Sequence, residues 1–312
     1  MNQSHLRLDQ YLVEQLPDYS RSKIQNYIKR GKVTINGETG KPSLILQGDE
    51  IVECRFEPNP LDESIIPEQM SLDILYEDDH ILVINKTAGV VVHPGIGNNT
   101  GTLLNGLLYH FPNLSREDSP RPGIVHRLDK YTSGVILIAK NDQSHDILGK
   151  QFNKRQVKKE YIALVWGELK SHGLIDGRIG RHPRNRQIFT MVENGGRDSL
   201  TRFKRVEYLA PLSLVKLLPE TGRTHQIRVH LKSMGHPIFM DEPYGGGAIN
   251  AKSFHVKYTQ LINRLVKTIT RVALHAQTLG IRHPVTREKM NFTAPIPKDI
   301  ITAIEILNNA KS

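Results

Sequence analysis

The sequence predicts an α+β fold: a large domain built on a mixed, largely antiparallel sheet, preceded by a small α+β domain. Three observations carry this expectation. The predicted strands and helices lack the regular β–α–β alternation that a doubly wound parallel sheet requires. The 312 residues are long enough for about two domains. Residues 56–70 (FEPNPLDESIIPEQM) combine three prolines with four acids, a composition suited to a linker. The resulting division is a small domain at 1–57, a linker at 58–70 and a large domain at 71–312.

In the small domain, residues 20–30 predict a helix, with Ser20 as N-cap and Gly31 as its stop. Ile24 and Ile28 are spaced to share an inward face. A strand at 32–36 follows, then a turn at Gly37 and a second polar–apolar run reaching Ile51 and Val52. Beyond the linker, strands are expected at 72–76 and 81–85. Leu103, Leu104, Leu107 and Leu108 give residues 101–111 a helical apolar stripe. Short apolar runs at 123–125 and 135–139 flank a polar loop. Further strands are expected at 161–166 and 213–218. A helix at 224–234 should end at Gly235, before Pro237, with Gly222 providing the tight turn into it. Residues 253–267 and 300–307 predict two more helices.

Composition narrows the function classes. Apolar residues make up 38% of the chain, and no run approaches the roughly 18 that a membrane-spanning helix needs. Residues 1–10 are polar and lack the apolar centre of a signal peptide. The single cysteine, Cys54, can form neither an internal disulfide nor a thiolate metal cage. These features predict a cytoplasmic protein with no membrane association. Nothing in the sequence requires more than a monomer.

The net charge of +10 is unevenly placed. Residues 1–60 are neutral, 61–140 carry −4 and 141–312 carry +14. An excess of that size on one part of a chain fits a polyanion partner, although basic residues also serve solubility. Within the neutral first segment, Arg21, Lys23, Lys29, Arg30 and Lys32 fall in twelve residues containing no acid. They would crowd the outer face of the first predicted helix and its exit.

Several motifs fail. The glycines of 93–101 (HPGIGNNTG) miss the dinucleotide-binding spacing by one residue, and no phosphate-binding loop of the Walker type occurs. His225 and His230 are five apart, which does not place them on one helical face. No metal-ligand motif supports them.

Three segments carry candidate chemistry. In 123–140 (GIVHRLDKYTSGVILIAK), Asp129 is the only carboxylate, beside His126, Arg127 and Lys130. Cations keep such a carboxylate ionised, so it can serve as nucleophile or base, or simply as a loop salt bridge. In 220–231 (ETGRTHQIRVHL), Arg228 is fixed on a helix as a bidentate partner for a carboxylate or phosphate, with Lys232 one turn on. In 158–167 (KKEYIALVWG), Tyr161 follows a basic cluster and could stack on a base or move a proton, or belong to the core.

Together these segments closely resemble the RluA-type family of pseudouridine synthases. The central match is HRLDKYTSG at 126–134, supported in family order by NKTAGVVVHPG (85–95), GNNTGTLLNGLL (97–108), KKEYIALVWG, ETGRTHQIRVHL, MGHPI (234–238) and LHA (274–276). Residues 5–54 resemble an S4-type RNA-binding domain. Within the family, the chain is most similar to enzymes of large-subunit (23S) ribosomal RNA.

The resemblance implies isomerisation of uridine to pseudouridine in RNA, with no cofactor and no metal. It implies that Asp129 attacks the flipped-out nucleotide. Arg228 would pair with Asp129, and Tyr161 would stack on the uracil and assist C5 deprotonation. Arg127 would fill the space the base leaves. RNA contacts are expected from Arg127, His126 and Arg223, and from Arg21, Lys23, Lys29, Arg30 and Lys32 of the S4-like domain. Met240 stands where many relatives have glycine, and residues 248–272 fit no recognised pattern. A tRNA target, or a non-catalytic RNA-binding factor on the same scaffold, would share the charge pattern.

Overall fold

The computed structural model of the chain describes residues 6–16, 21–55, 65–95, 97–112, 114, 121–249 and 258–310, with all their side chains except those of Ser22 and Lys23. The chain divides into two compact units, Met1–Ser64 and Ile65–Ser312.

The first unit packs helices α1 (Leu8–Gln15) and α2 (Arg21–Lys29) against strands β1 (Val33–Ile35), β2 (Glu38–Thr39) and β3 (Val52–Cys54). The three strands are antiparallel, in the order β2-β1-β3. Ile24 and Ile28 face inward as their spacing predicts, burying themselves against Leu8, Leu12 and Val33. Gly31, at φ +70°, takes the left-handed conformation that ends α2. Asn36 and Gly37 both have positive φ, so the β1–β2 hairpin turns in two residues, as an Asn-Gly pair favours. Ser20, the expected N-cap, lies outside the described residues.

The second unit is organised by one ten-stranded sheet. Its strands are β4 (Ile74–Glu77), β5 (Ile81–Lys86), β6 (Ser133–Ala139), β7 (Lys158–Trp166), β8 (His172–Arg181), β9 (Phe189–Val192), β10 (Arg197–Leu209), β11 (Leu212–Pro219), β12 (Leu274–Arg282) and β13 (Lys289–Thr293). The order is β4-β5-β6-β12-β7-β11-β10-β8-β9, with β13 alongside β12. Among the described strands, the single parallel pairing joins β12 to β6. The sheet is therefore mixed and largely antiparallel, as the sequence predicts.

Helices α3 (Leu103–His110), α4 (Asp142–Asn153), α5 (Gln226–Ser233), α6 (Thr259–Thr268) and α7 (Lys298–Asn309) cover the sheet. Strand β6 shows why both faces need cover: all seven of its residues are buried. Ile136 and Ile138 enter the core under α3, while Val135, Leu137 and Ala139 enter the core that includes Leu148 of α4. Thr102 caps α3 through a reciprocal pair of hydrogen bonds with Asn105. Residues 66 and 68 hydrogen-bond to Asn105 of the same helix. No described helix is long and apolar enough to cross a membrane.

The structure adds elements that periodicity does not reveal: α1, α4, β8–β10, β12 and β13. In β10 the inward residues include Ser199 and Thr201, both buried, so the strand lacks an apolar alternation to read. Within the expected helix at 253–267 the structure describes α6 from Thr259, and residues 250–257 lie outside the described residues.

Gly134 fixes the junction of β6 and β12. Its φ is +116°, and a Cβ there would sit 2.1 Å from the Ala276 carbonyl oxygen. The parallel pair can approach only with no side chain at this position. Gly134→Ala is expected to destabilise the protein by about 3 kcal/mol, measured by thermal or urea unfolding. An unchanged transition would show that β12 does not depend on this close approach.

Candidate active site

Loop 125–132 leads into the N-terminal end of β6, and three anchors shape it. The buried Lys86 ammonium donates to the carbonyls of Thr87, Val90 and Lys130 at 2.7, 2.8 and 3.3 Å. Burial lowers its pKa to about 7, partly opposed by the charge of Asp129. Gly89 N–H donates to the Lys130 carbonyl at 2.8 Å, tying the 86–90 turn to the loop. His126 Nε2 accepts the Leu137 N–H at 2.9 Å, and its ring stacks on Phe152 at 4.7 Å.

Opposite this loop, residues 221–226 turn into α5. Gln226 Oε1 accepts from Thr221 Oγ1 and the Arg223 N–H, while its amide donates to Leu200 and Thr201 of β10. The helix starts at Gln226, and the left-handed residue at its entrance is His225 (φ +55°), three residues beyond Gly222. The helix then carries Arg228 into the interior.

Arg228 is 8% exposed and lies between two carboxylates. Nε and Nη2 bind Asp241 in a fork at 2.7 and 2.8 Å, and Nη1 reaches Asp129 at 3.2 Å. Its carbon centre lies 4.6 Å from the Tyr244 ring centroid, a cation–π arrangement. Burial would weaken the guanidinium's hold on its proton. The hydrogen bond and charge of Asp241, then the charge of Asp129, outweigh that and raise its pKa.

A cleft of about 380 Å³ opens over this array. Asp129, Arg127, Tyr161, Arg223, His225 and Arg228 line it, with Lys159 and Arg155 adding positive charge. Burial, then Asp129, raises the Tyr161 pKa, so the cleft presents a neutral phenol at neutral pH. Lys159 donates to the Thr221 carbonyl at 3.1 Å, and burial beside Arg223 brings its pKa down to about 8. Among the described residues, no cluster of His, Cys, Asp or Glu could hold a metal ion.

The structure thus brings Asp129, Tyr161, Arg228, Arg127 and Arg223 to one cleft. Arg127 is exposed at its edge, and Arg223 is half-buried with Nε on the Asp198 carbonyl. His126 differs from expectation. Burial, then Lys159, pushes its pKa down to about 3, so it offers RNA no charge. Its nitrogen and ring instead pin the Asp129 loop to β6 and α4.

In the first unit, Lys29 and Arg30 are exposed and Lys32 is half-buried. The Lys23 side chain lies outside the described residues. Arg21 is committed internally, donating with Arg7 and Gln25 to the buried Asp9. Burial opposes ionisation of Asp9, but these donors outweigh it and lower the pKa.

Sequence reasoning misses Asp241 and Tyr244 as partners of Arg228. Their signal was the MDEPYGG segment itself, where Asp and Tyr flank a proline turn. Met240 holds φ +63° there, a conformation natural to the glycine expected at that position.

Asp241 is fully buried and forks onto Arg228, whereas Asp129 keeps 19% side-chain exposure and one bond. Asp241→Asn should therefore cost about 3 kcal/mol of stability, because it leaves a buried guanidinium short of countercharge. Asp129→Asn should cost about 1 kcal/mol or less. Paired unfolding curves measure the difference, and equal losses would contradict the division of roles.

Comparison with known proteins agrees with this architecture. Residues 80–233 match the RNA pseudouridylate synthase family model, and residues 6–52 match the S4 domain. Ribosomal large subunit pseudouridine synthase D of Neisseria meningitidis serogroup B is 42% identical over 302 residues, 96% of this chain and 78% of that protein. The protein of that name from Xanthomonas campestris is 42% identical over 94% of this chain and 86% of its own length. An RNA pseudouridine synthase of Bacillus subtilis, YlyB, is 41% identical over 96% of this chain and 94% of its own. Among solved structures, human RNA pseudouridylate synthase domain containing 4 superposes with a TM-score of 0.57 at 25% identity, covering 75% of this chain and 92% of that one. Human RNA pseudouridylate synthase domain containing 1 gives 0.54 at 27%, covering 81% and 98%. An S4 domain followed by this sheet, and identity of this extent along nearly the whole chain, identify an enzyme: the chain belongs to the RNA pseudouridylate synthases.

Proposed function

We propose that this enzyme isomerises specific uridines of large-subunit (23S) ribosomal RNA, using Asp129, Arg228, Tyr161 and Arg127. The observation that carries the reading is a partly exposed carboxylate, Asp129, paired with a buried Arg228 and facing a base-sized cleft lined by Tyr161. The choice of ribosomal RNA rests on the names of the Neisseria and Xanthomonas relatives and on the S4 domain.

A uridine in folded RNA must leave its stack to reach such a cleft, at a cost of a few kcal/mol. Arg127, exposed at the cleft edge, fills the vacated position and offsets part of that cost. The uracil lies against the Tyr161 ring. Asp129 then attacks C1′ or takes a C2′ proton, and the N1–C1′ bond breaks. The uracil turns, and C5 bonds to C1′; this releases the Asp129 carboxylate where it had bonded to C1′, or goes with return of the proton to C2′ where Asp129 had removed it. Tyr161 assists loss of the C5 proton, taking it at its hydroxyl oxygen as its own phenolic proton passes to solvent, and N1, freed from C1′, gains a proton from solvent in turn. The product is an isomer of the substrate, so no redox partner enters. Arg228, bonded to its Oδ2, orients Asp129 for this attack.

Lys159, Arg155 and Arg223 contact phosphates at the cleft, and Lys29 and Arg30 contact them at the S4 domain. Lys23 and Lys32 stand in the same acid-free run of the sequence and are expected to add to these contacts. Nothing in the sequence requires a second subunit, and the reading takes the enzyme to act as a monomer. The substrate puts the enzyme with the ribosome, in the cytoplasm.

Asp129→Asn should lower the single-turnover rate at least ~10⁴-fold, the scale of losing a nucleophile, while RNA affinity stays within about threefold. Carbodiimide primer extension on 23S rRNA from cells with and without the gene should show stops lost on deletion. Wild type should restore them and Asp129→Asn should not. An unchanged 23S map would redirect the reading to tRNA. Loss of stops that Asp129→Asn still restores would overturn the assignment of Asp129.

Replacing Lys29 and Arg30 together by alanine should reduce the slope of log affinity against log salt by about 1 to 2. Filter binding across a salt series measures this, and an unchanged slope would remove them from the RNA interface.

A further inference from the structure

The second oxygen of Asp129 faces a group the proposed reaction does not use. His225 Nε2 stands 3.9 Å from Asp129 Oδ1, while Arg228 engages Oδ2. The other imidazole nitrogen, Nδ1, is 2.7 Å from the Tyr244 hydroxyl. That hydroxyl already accepts the Phe189 N–H at 3.0 Å.

These contacts favour one placement of the protons. With a lone pair of Tyr244 taken by Phe189, the phenolic proton finds its acceptor in His225 Nδ1. In that arrangement the imidazole's own proton sits on Nε2, directed at Asp129. Burial, assisted by Arg228 and Arg127, disfavours the charged imidazole despite the opposing pull of Asp129 and Asp241. The ring is also held in space, packed edge-on against Phe189 at 5.8 Å and Tyr244 at 5.6 Å.

The backbone points the same way. His225 occupies the left-handed region (φ +55°, ψ +20°) at the mouth of α5, and its side chain makes no capping bond there. A strained residue persists where surrounding structure demands it, often at a functional site. Here the conformation aims the imidazole at Asp129 instead of the helix end.

We propose that Tyr244 locks His225 in the tautomer that donates from Nε2, making His225 a positioning residue for the free oxygen of Asp129. The proposal rests on the reading that Asp129 attacks the nucleotide. At 3.9 Å the contact is beyond a hydrogen bond. It closes when the flipped base enters and displaces water, as contacts in empty active sites commonly tighten on binding. The opposite tautomer would turn a lone pair toward a carboxylate, which repels it.

The test uses the full chain, transcribed 23S rRNA, single-turnover rates and filter-binding affinity. His225→Phe should slow the rate about 10- to 100-fold, with affinity within about twofold. His225→Gln places an N–H donor near the position of Nε2 and should recover to within about threefold of wild type. Phe and Gln meet the same left-handed backbone, so comparing them removes the strain. Tyr244→Phe keeps the ring beneath Arg228 and should slow the wild type about 3- to 10-fold. It should slow His225→Phe no further, because the hydroxyl acts through the imidazole. A purely structural role would instead give additive losses and no rescue by glutamine.

Equal rates for His225→Phe and wild type, equal losses in Phe and Gln, or additive losses with Tyr244→Phe would each overturn the proposal. If His225→Phe fails to fold, the Gln and Tyr244→Phe comparison carries the test: Gln near wild-type speed and insensitive to Tyr244→Phe supports it, and anything else overturns it. Asp129→Asn on the same RNA separates the two levels. An inactive Asp129→Asn beside a full-speed His225→Phe removes only the histidine, while an active Asp129→Asn removes both readings.

Discussion

A single buried guanidinium with two carboxylates organises the enzyme. Arg228 gives Asp241 a two-point grip and Asp129 one bond. The asymmetry matters chemically. A carboxylate gripped at both oxygens and sealed from water is a structural anchor, whereas one held at a single oxygen and partly open to a cleft keeps lone pairs for reaction. A lone arginine in this position would be costly to bury, and Asp241 makes its burial tolerable. The turn that follows Asp241 is correspondingly tight: Met240 N–H binds the Gly246 carbonyl and Gly246 N–H binds the Asp241 carbonyl, both at 2.7 Å. That turn also delivers Tyr244 beneath the guanidinium, so one short segment sets both the charge and the floor of the site.

The sheet supplies the rest of the precision. Asp129 enters from the loop before β6, Tyr161 from β7 and Arg228 from the helix after β11, so three separate stretches must meet within ångströms. They do so because β6, β12, β7 and β11 are adjacent in the sheet. Lys86 completes the frame by gathering three carbonyls of two turns around one ammonium. Its buried amine does work that a chain of ordinary loop hydrogen bonds would do less rigidly.

Much of this was legible in the sequence, and the reasons for the remainder are physical. Asp129, Tyr161 and Arg228 stand in motifs whose residue types already suggest chemistry. Ile24, Ile28 and the leucines of α3 announce their faces by spacing. What stayed hidden was mostly polar and inward. Ser199 and Thr201 of β10 and His275 of β12 are buried through hydrogen bonds to His230, Gln226 and Ser133, so their strands do not alternate as hydropathy expects. His126 looked like an RNA contact because it adjoins Arg127, yet its ring turns back onto the sheet. Gly222 stood out as the turn into α5, whereas the left-handed conformation at the helix entrance falls to His225, which no sequence pattern marks. Proximity of Asp241 to Arg228 requires a turn thirteen residues away, which no local pattern encodes.

The position of β12 bears on how the enzyme comes into being on a translating ribosome. This strand, residues 274–282, lies between β6 and β7, which precede it by more than a hundred residues. The first unit has all its strands by residue 54 and can form early in synthesis. The sheet of the second cannot close until nearly nine-tenths of the polypeptide has emerged, because pairing so distant in sequence must wait for its partner. An RNA-binding module thus exists on the nascent chain well before any cleft does. Nascent chains would present their S4 domain to RNA long before they could alter a base, so binding precedes activity in the life of each molecule.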